Sequence, residues 1–158
     1  MKHLTLVLDG VTYAFMFPNV VPVEVFNTMV GNVRVGPTRN WEHSWRKATL
    51  VENNIVSALM LNQKCKYICF KDGDVEMIVV FPHTIDHDRM FESLQMTSFD
   101  VDRNSREWYD IDRKSREWYD IDLLSAGFVY SSGKCYGRSE TLDIDSRGDV
   151  DTLILKGQ

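Results

Sequence analysis

No apolar run in this chain approaches the roughly 20 residues that a membrane helix needs, and cysteine is scarce, with three among 158 residues. The N-terminal stretch MKHLTLVLDG breaks at Asp9-Gly10 and has no small-residue cleavage site, so a cleaved export leader is not expected. Cys65, Cys69 and Cys135 are odd in number and cannot all pair within the chain; they read as reduced thiols of a cytosolic protein. Zinc would need further ligands at metal-site spacing, and these are missing. Positive charge is in deficit too, with 18 Lys and Arg against 23 Asp and Glu, a net −5. Long nucleic-acid duplexes are therefore poor partners by default, while a small anion held by a few arginines stays open. Walker-type phosphate loops and dinucleotide fingerprints are absent, and neither Ser125-Ala126-Gly127 nor Ser131-Ser132-Gly133 sits in a nucleophile elbow. On these grounds no cofactor and no enzymatic activity are expected.

What is present is a globular composition, 44% apolar and 26% charged, and a chain that resembles itself. Lys2-His3-Leu4-Thr5-Leu6-Val7-Leu8-Asp9-Gly10 is echoed by Lys66-Tyr67-Ile68-Cys69-Phe70-Lys71-Asp72-Gly73, and both lead to Phe-Pro, at Phe17-Pro18 and Phe81-Pro82. The offset is 64 at the lysines, 63 across Asp-Gly, and 64 at Phe-Pro. Each segment reads as strand, turn, strand, then a helix after the proline, predicted over 20–29 and 84–94. A second likeness joins Arg46-Lys47-Ala48-Thr49-Leu50 to Arg138-Ser139-Glu140-Thr141-Leu142 at an offset of 92. Each is followed by a polar step and a short amphipathic segment, the second opening on Ser146 with Asp149 three residues on.

Offsets of 92 and 64 differ by 28, which predicts an insertion of that size in the second copy, at about 95–122. Within it Ser105-Arg106-Glu107-Trp108-Tyr109-Asp110-Ile111-Asp112 recurs, residue for residue, ten positions later as 115–122. The expected architecture is α+β: a tandem duplication of a small antiparallel ββα-type unit. The first, diverged copy spans 1–64; the second spans 65–158 and carries an inserted extended hairpin or loop.

Four groups of residues could carry chemistry. A helix starting after Pro82 would put His83 and His87 one turn apart beside Asp86 and Asp88, a spacing that suits a divalent metal; a polar helix face is the plainer reading. Trp108, Tyr109, Trp118 and Tyr119, with the arginines beside them, suit either a half-exposed extended segment or a contact with a partner protein. Gly127 and Gly137 interrupt strand-like runs, as bulges or close backbone approaches do. Arg138 and Arg147, flanking Ser139 and Ser146, could receive phosphates by bidentate bonds or simply pair with Glu140, Asp143, Asp145 and Asp149.

The runs Ser125-Ala126-Gly127-Phe128-Val129, Cys135-Tyr136-Gly137-Arg138-Ser139-Glu140-Thr141-Leu142 and Ser146-Arg147 resemble the C-terminal motif of the phage-encoded type 1 Thoeris anti-defence proteins. The stretch 66–87, with Phe81-Pro82 and His87, resembles their N-terminal half. The resemblance covers roughly 66–149 without the insertion, and it implies a protein that sequesters cyclic ADP-ribose-type signals made by bacterial TIR-domain enzymes without cleaving them. Carried over, it implies that Phe128 stacks on a base and that Arg138, Ser139 and Arg147 hold phosphates. It further implies a homo-oligomer in the cytoplasm of the infected bacterial host. The extra N-terminal copy and the doubled Trp-Tyr segment depart from that pattern. Two alternatives stay open at this point: a protein–protein inhibitor of a bacterial immune complex acting through Trp108, Tyr109, Trp118 and Tyr119, and a metal-dependent nucleotide hydrolase built on His83 and His87.

Overall fold

A computed structural model of the chain describes residues 2–8, 11–31, 33, 51–52, 64–95, 121–130 and 132–157. Two hairpins open the two halves of the chain: β1 (Lys2–Leu8) with β2 (Val11–Phe17), and β4 (Cys65–Asp72) with β5 (Val75–Pro82). Their registers match pair for pair at one constant offset of 64, from Lys2↔Phe17 and Lys66↔Phe81 to Leu8↔Val11 and Asp72↔Val75. The expected offset of 63 across Asp-Gly falls on Asp9 and Gly10, which lie outside the described residues; in the second hairpin Gly73 takes the positive φ of 62° that its turn requires.

The helices after Phe-Pro are α1 (Val23–Gly31) and α2 (His87–Gln95), each beginning three residues later than predicted. In both places the chain first makes a tight turn. Val21 N donates to Pro18 O and Ile85 N to Pro82 O, each at 3.1 Å, and the turn buries Val21 and Ile85. Helical bonding then starts with Phe26 N to Pro22 O and Met90 N to Asp86 O. A lysine ties each turn to its first strand: Lys2 Nζ donates to Val21 O at 2.8 Å, and Lys66 Nζ to Ile85 O at 3.0 Å.

The third strand of each half differs in distance along the chain. β3 (Val51–Glu52) pairs with β1 at Leu4↔Glu52, and β6 (Asp122–Val129) pairs with β4 at Ile68↔Ala126, so the offset here is 74. The excess over 64 here is ten residues. Residues 46–50 and most of the expected insertion lie outside the described residues, and β8 (Arg138–Ser139) pairs with β9 (Ile144–Asp145). Ten is also the spacing of the Ser-Arg-Glu-Trp-Tyr-Asp-Ile-Asp repeat, most of which lies outside the described residues.

The main sheet has the order β3-β1-β2-β5-β4-β6-β7, with β7 at Cys135–Tyr136, and its pairings are antiparallel. One face is covered by α1 and α2. There Leu4, Leu6, Phe15 and Phe17 from the first segment share a core with Ile68, Phe70, Met77, Val79, Phe81 and Ala126 from the second. The segments 1–64 and 65–158 thus contribute to one sheet and one core. The other face carries Ala14, Cys65, Tyr67, Cys69, Ile78, Val80, Val129 and Cys135 under α3 (Asp149–Gly157), which brings Leu155 and Ile154. Burial on both faces explains why the central strands, Cys-Lys-Tyr-Ile-Cys-Phe and Met-Ile-Val-Val-Phe, run apolar without clean alternation. Among the described residues no helix is long and apolar enough to cross a membrane.

Candidate functional site

The side chains with chemistry to offer gather where β6 meets β7. Phe128 pairs with Lys66 on one side and Tyr136 on the other, so it projects from the face that α2 covers. Its half-buried ring meets His87 edge-on at 5.8 Å and Tyr136 at 5.9 Å, and Lys64 Nζ stands 4.1 Å from its centroid. Tyr130 stacks on Tyr136 at 3.9 Å and is itself more than half exposed. The result is an aromatic corner with a lysine over one ring. Gly137 makes room for it: its φ is 83°, and a Cβ there would come within 3.0 Å of Phe128 Cδ2.

His87 fixes this corner from below. Its Nε2 lies 2.8 Å from Gly127 O, and a carbonyl can only accept, so Nε2 carries the proton. Burial pushes the imidazole pKa below its usual value, with the Gly127 bond opposing. His83 sits in the exposed turn before α2, and the helix begins at His87 itself, so the two histidines do not share a helical face. Among the described residues no group of three or more His, Cys, Asp or Glu side chains could hold a metal ion.

The residues grouped by the sequence as phosphate ligands are spread out. Arg138 is exposed beyond Gly137 and already faces three carboxylates: Asp143, Asp145 at 3.0 Å and Glu140 at 3.7 Å. Ser139 is buried, and its Oγ accepts from Leu142 N, closing the turn between β8 and β9. Arg147 turns to the opposite face of the sheet from Phe128. There its Nε donates to Asp151 Oδ1 at 2.8 Å, its Nη2 lies 3.3 Å from Cys69 Sγ, and Glu76 is 3.5 Å away. Phe128 and Arg147 therefore do not converge within one chain. Lys64 and Tyr136, which the sequence reading passed over, do stand beside Phe128. Lys64 had one available signal: with Lys66 it falls on the same side of a period-two strand start, opposite Phe128. Trp108, Tyr109, Trp118 and Tyr119 lie outside the described residues.

On the α3 face a buried polar knot fixes the C-terminal helix. Tyr67 Oη is 2.5 Å from both Asp151 Oδ2 and Ser146 Oγ; its one proton goes to the carboxylate, and the serine hydroxyl donates back. Asp151, fully buried, also accepts from Arg147 N at 2.9 Å, and Thr152 Oγ1 accepts from Cys135 N at 3.0 Å. Cys65, Cys69 and Cys135 are buried thiols outside any disulfide, and burial lifts their pKa values to about 11, 12 and 11.

These shifts set a pH window. Raised thiol pKa values mean that the unfolded chain loses protons first, so their stabilisation is full below the free-thiol value of 9.0 and declines above it. Each thiol contributes a slope of about 1.4 kcal/mol per pH unit. Tyr67 and Tyr136, also raised, add to the decline, and Lys66, lowered by burial, is one group opposing five. His87 has the other sign: its lowered pKa means stability is present above the free value of 6.5 and is lost as pH falls. Urea midpoints in reductant are expected to be flat between about pH 6.5 and 9 and to fall on both sides. Cys69→Ala should flatten the alkaline limb, and a limb unchanged in that variant would count against this account.

The chain matches no protein-family model, no curated protein and no solved structure to which it was compared.

Proposed function

We propose that this chain is a phage anti-defence protein that sequesters an anionic cyclic nucleotide signal and releases it slowly and unchanged. One observation carries the reading: a lysine ammonium 4.1 Å from the Phe128 centroid, beside the stacked pair of Tyr130 and Tyr136. A nucleobase needs an aromatic face and its phosphate needs a nearby cation, and this corner supplies both within a few ångströms. The corner draws Phe128, Tyr136 and Gly137 from the runs 125–129 and 135–142 that resemble the anti-defence family, with Tyr130 just beyond the first. Lys64 takes the part of nearest cation, with Arg138 on the adjoining hairpin and its charge shared among three carboxylates. Arg147, facing the other way, serves the fold unless a second chain brings it to the ligand.

The two ββα segments are, in this reading, copies of one ancestral unit. Three hydrogen bonds recur at a spacing of 64, and the second copy is longer by ten residues, the length of the local repeat. Counted along the sequence at those offsets, Val23 matches His87, and Asn54, outside the described residues, matches Phe128. The first copy thus lacks the ring and its support, and the ligand belongs to the second copy alone.

The test is retention. The purified protein is incubated with cyclic nucleotides and cyclic ADP-ribose isomers, freed of unbound ligand, heat-denatured, and the released material is weighed by mass spectrometry. An intact ligand is expected. Phe128→Ala should weaken binding by about 1–3 kcal/mol, roughly 5- to 150-fold in Kd, and Lys64→Ala should weaken it in the same direction. An altered ligand would make the protein an enzyme. No retention would overturn the reading and leave the Trp108, Tyr109, Trp118 and Tyr119 segment as the element to use in a search for a protein target.

A further inference from the structure

The outward face of α3 is the least explained surface of the chain. Its inner side is accounted for: Asp151, Thr152 and Leu155 are buried against the sheet. Its outer side shows Leu153 at 71% exposure and Val150 at 51%, one helical turn apart. Among the described residues five large apolar side chains are exposed, and these are the two that share a regular element; Val20, Val75 and Tyr130 are scattered. A single exposed leucine is ordinary, whereas neighbours at i and i+3 on a helix form a stripe.

The charges on the same helix say what would cover that stripe. Asp149 is exposed at its N-terminal end and Lys156 at its C-terminal end, and neither forms an ion pair among the described residues. An acidic start and a basic finish also align with the helix dipole, so the two ends of this surface differ in sign. A second α3 laid antiparallel meets each end with its opposite. With a two-fold axis at Leu153, that leucine packs on its own copy. The partner's Lys156 lays its stem along Val150 and its ammonium against Asp149, and the reciprocal contact follows by symmetry. A parallel arrangement would set like charges together.

We infer that the Val150–Leu153 stripe of α3 is a self-association surface, on which a second copy of this chain docks antiparallel with Asp149 and Lys156 paired across the two-fold. A helix of this length is only about 14 Å long and ~10 Å across. It covers far less than the ~800 Å² per partner of a standard interface, so the dimer forms as a function of concentration and is not obligate. The inference is independent of the nucleotide reading, since α3 lies on the sheet face opposite Phe128.

Sedimentation equilibrium of the full chain over a wide concentration range tests it. Wild type is expected to move from one chain mass toward two, and Leu153→Lys to stay at one. Asp149→Lys and Lys156→Glu should each weaken association at least tenfold, and the double variant D149K/K156E should restore it, because the swapped charges meet again. Far-UV circular dichroism checks that each variant keeps its helix. Should a charge variant fail to fold, Leu153→Cys gives a second readout: mild oxidation should link two chains across the axis, and Val75→Cys should not link. A wild type that stays monomeric throughout, a Leu153→Lys protein that still dimerises, or a double variant no better than the singles would each overturn the inference.

Discussion

Asp151→Ala is expected to lower the unfolding free energy by about 3–5 kcal/mol, enough to threaten a domain whose whole margin is about 5–15 kcal/mol. The size follows from what the carboxylate holds. Asp151 is fully buried and accepts from three donors: the Tyr67 hydroxyl, Arg147 N and Arg147 Nε. Removing it leaves the buried Tyr67 hydroxyl with the Ser146 contact alone and strands a guanidinium beside Cys69. Arg147 is 30% exposed and retains Glu76 at 3.5 Å, which relieves part of that loss and favours the lower end of the range. Tyr67→Phe is the informative comparison. It deletes one donor while Asp151 keeps Arg147, so about 1 kcal/mol is expected. Urea denaturation of the two single variants and the double gives the coupling directly. A coupling near zero would mean that the tyrosine and the aspartate do not act together.

Gly127→Ala carries the second large effect. A Cβ at Gly127 would stand 2.4 Å from Tyr136 O and 3.2 Å from Ser146 Cβ. The first of these atoms belongs to the backbone of β7, which is itself paired to β6 at Phe128↔Tyr136 and Val129↔Cys135. No side-chain rotation can relieve it, so β7 must leave β6, at a cost at or above the ~1–3 kcal/mol usual for overpacking. The aromatic corner depends on that pairing. Near-ultraviolet circular dichroism should lose the Tyr130–Tyr136 signal and ligand retention should disappear with it. Gly133→Ala, in open space at φ 88°, isolates the backbone contribution and should cost about 1–2 kcal/mol without touching the corner. If Gly127→Ala behaved no worse than Gly133→Ala, the close approach of β7 would not be what shapes the corner.

The hairpins and helices could be read from the sequence because their signals are local. Short apolar runs, a two-residue turn and Phe-Pro all act within a few residues of one another. The late helix starts were not legible for the same reason. A helix is expected soon after the proline, but Val21 and Ile85 are drawn into the core, and the lysines that hold their carbonyls are 19 residues away. Gly127 and Gly137 announced a close approach correctly, although nothing nearby named Tyr136 O or the Phe128 ring as what approaches. Arg138 and Arg147 looked like one cluster because nine positions separate them; Arg138 is engaged by the carboxylates of its own β8–β9 hairpin, while Arg147 turns to the far face of the sheet. Asp151 was one acid among several in a run of alternating aspartates, and only burial tells it from Asp149.

The middle of the sheet has a consequence for the order of assembly. β1 meets β2 through seven paired positions and β4 meets β5 through eight, but β2 meets β5 through Met16↔Val80 alone. Backbone bonding is dense inside each hairpin and sparse at the seam, where packing of Phe17, Phe81 and the two helices does the holding. Each hairpin can close on itself within microseconds from contacts near in sequence, whereas the seam must wait for residues 64 positions apart to meet. The joint at the centre of the finished sheet then forms after the two hairpins it joins, which reach it as pieces already shaped.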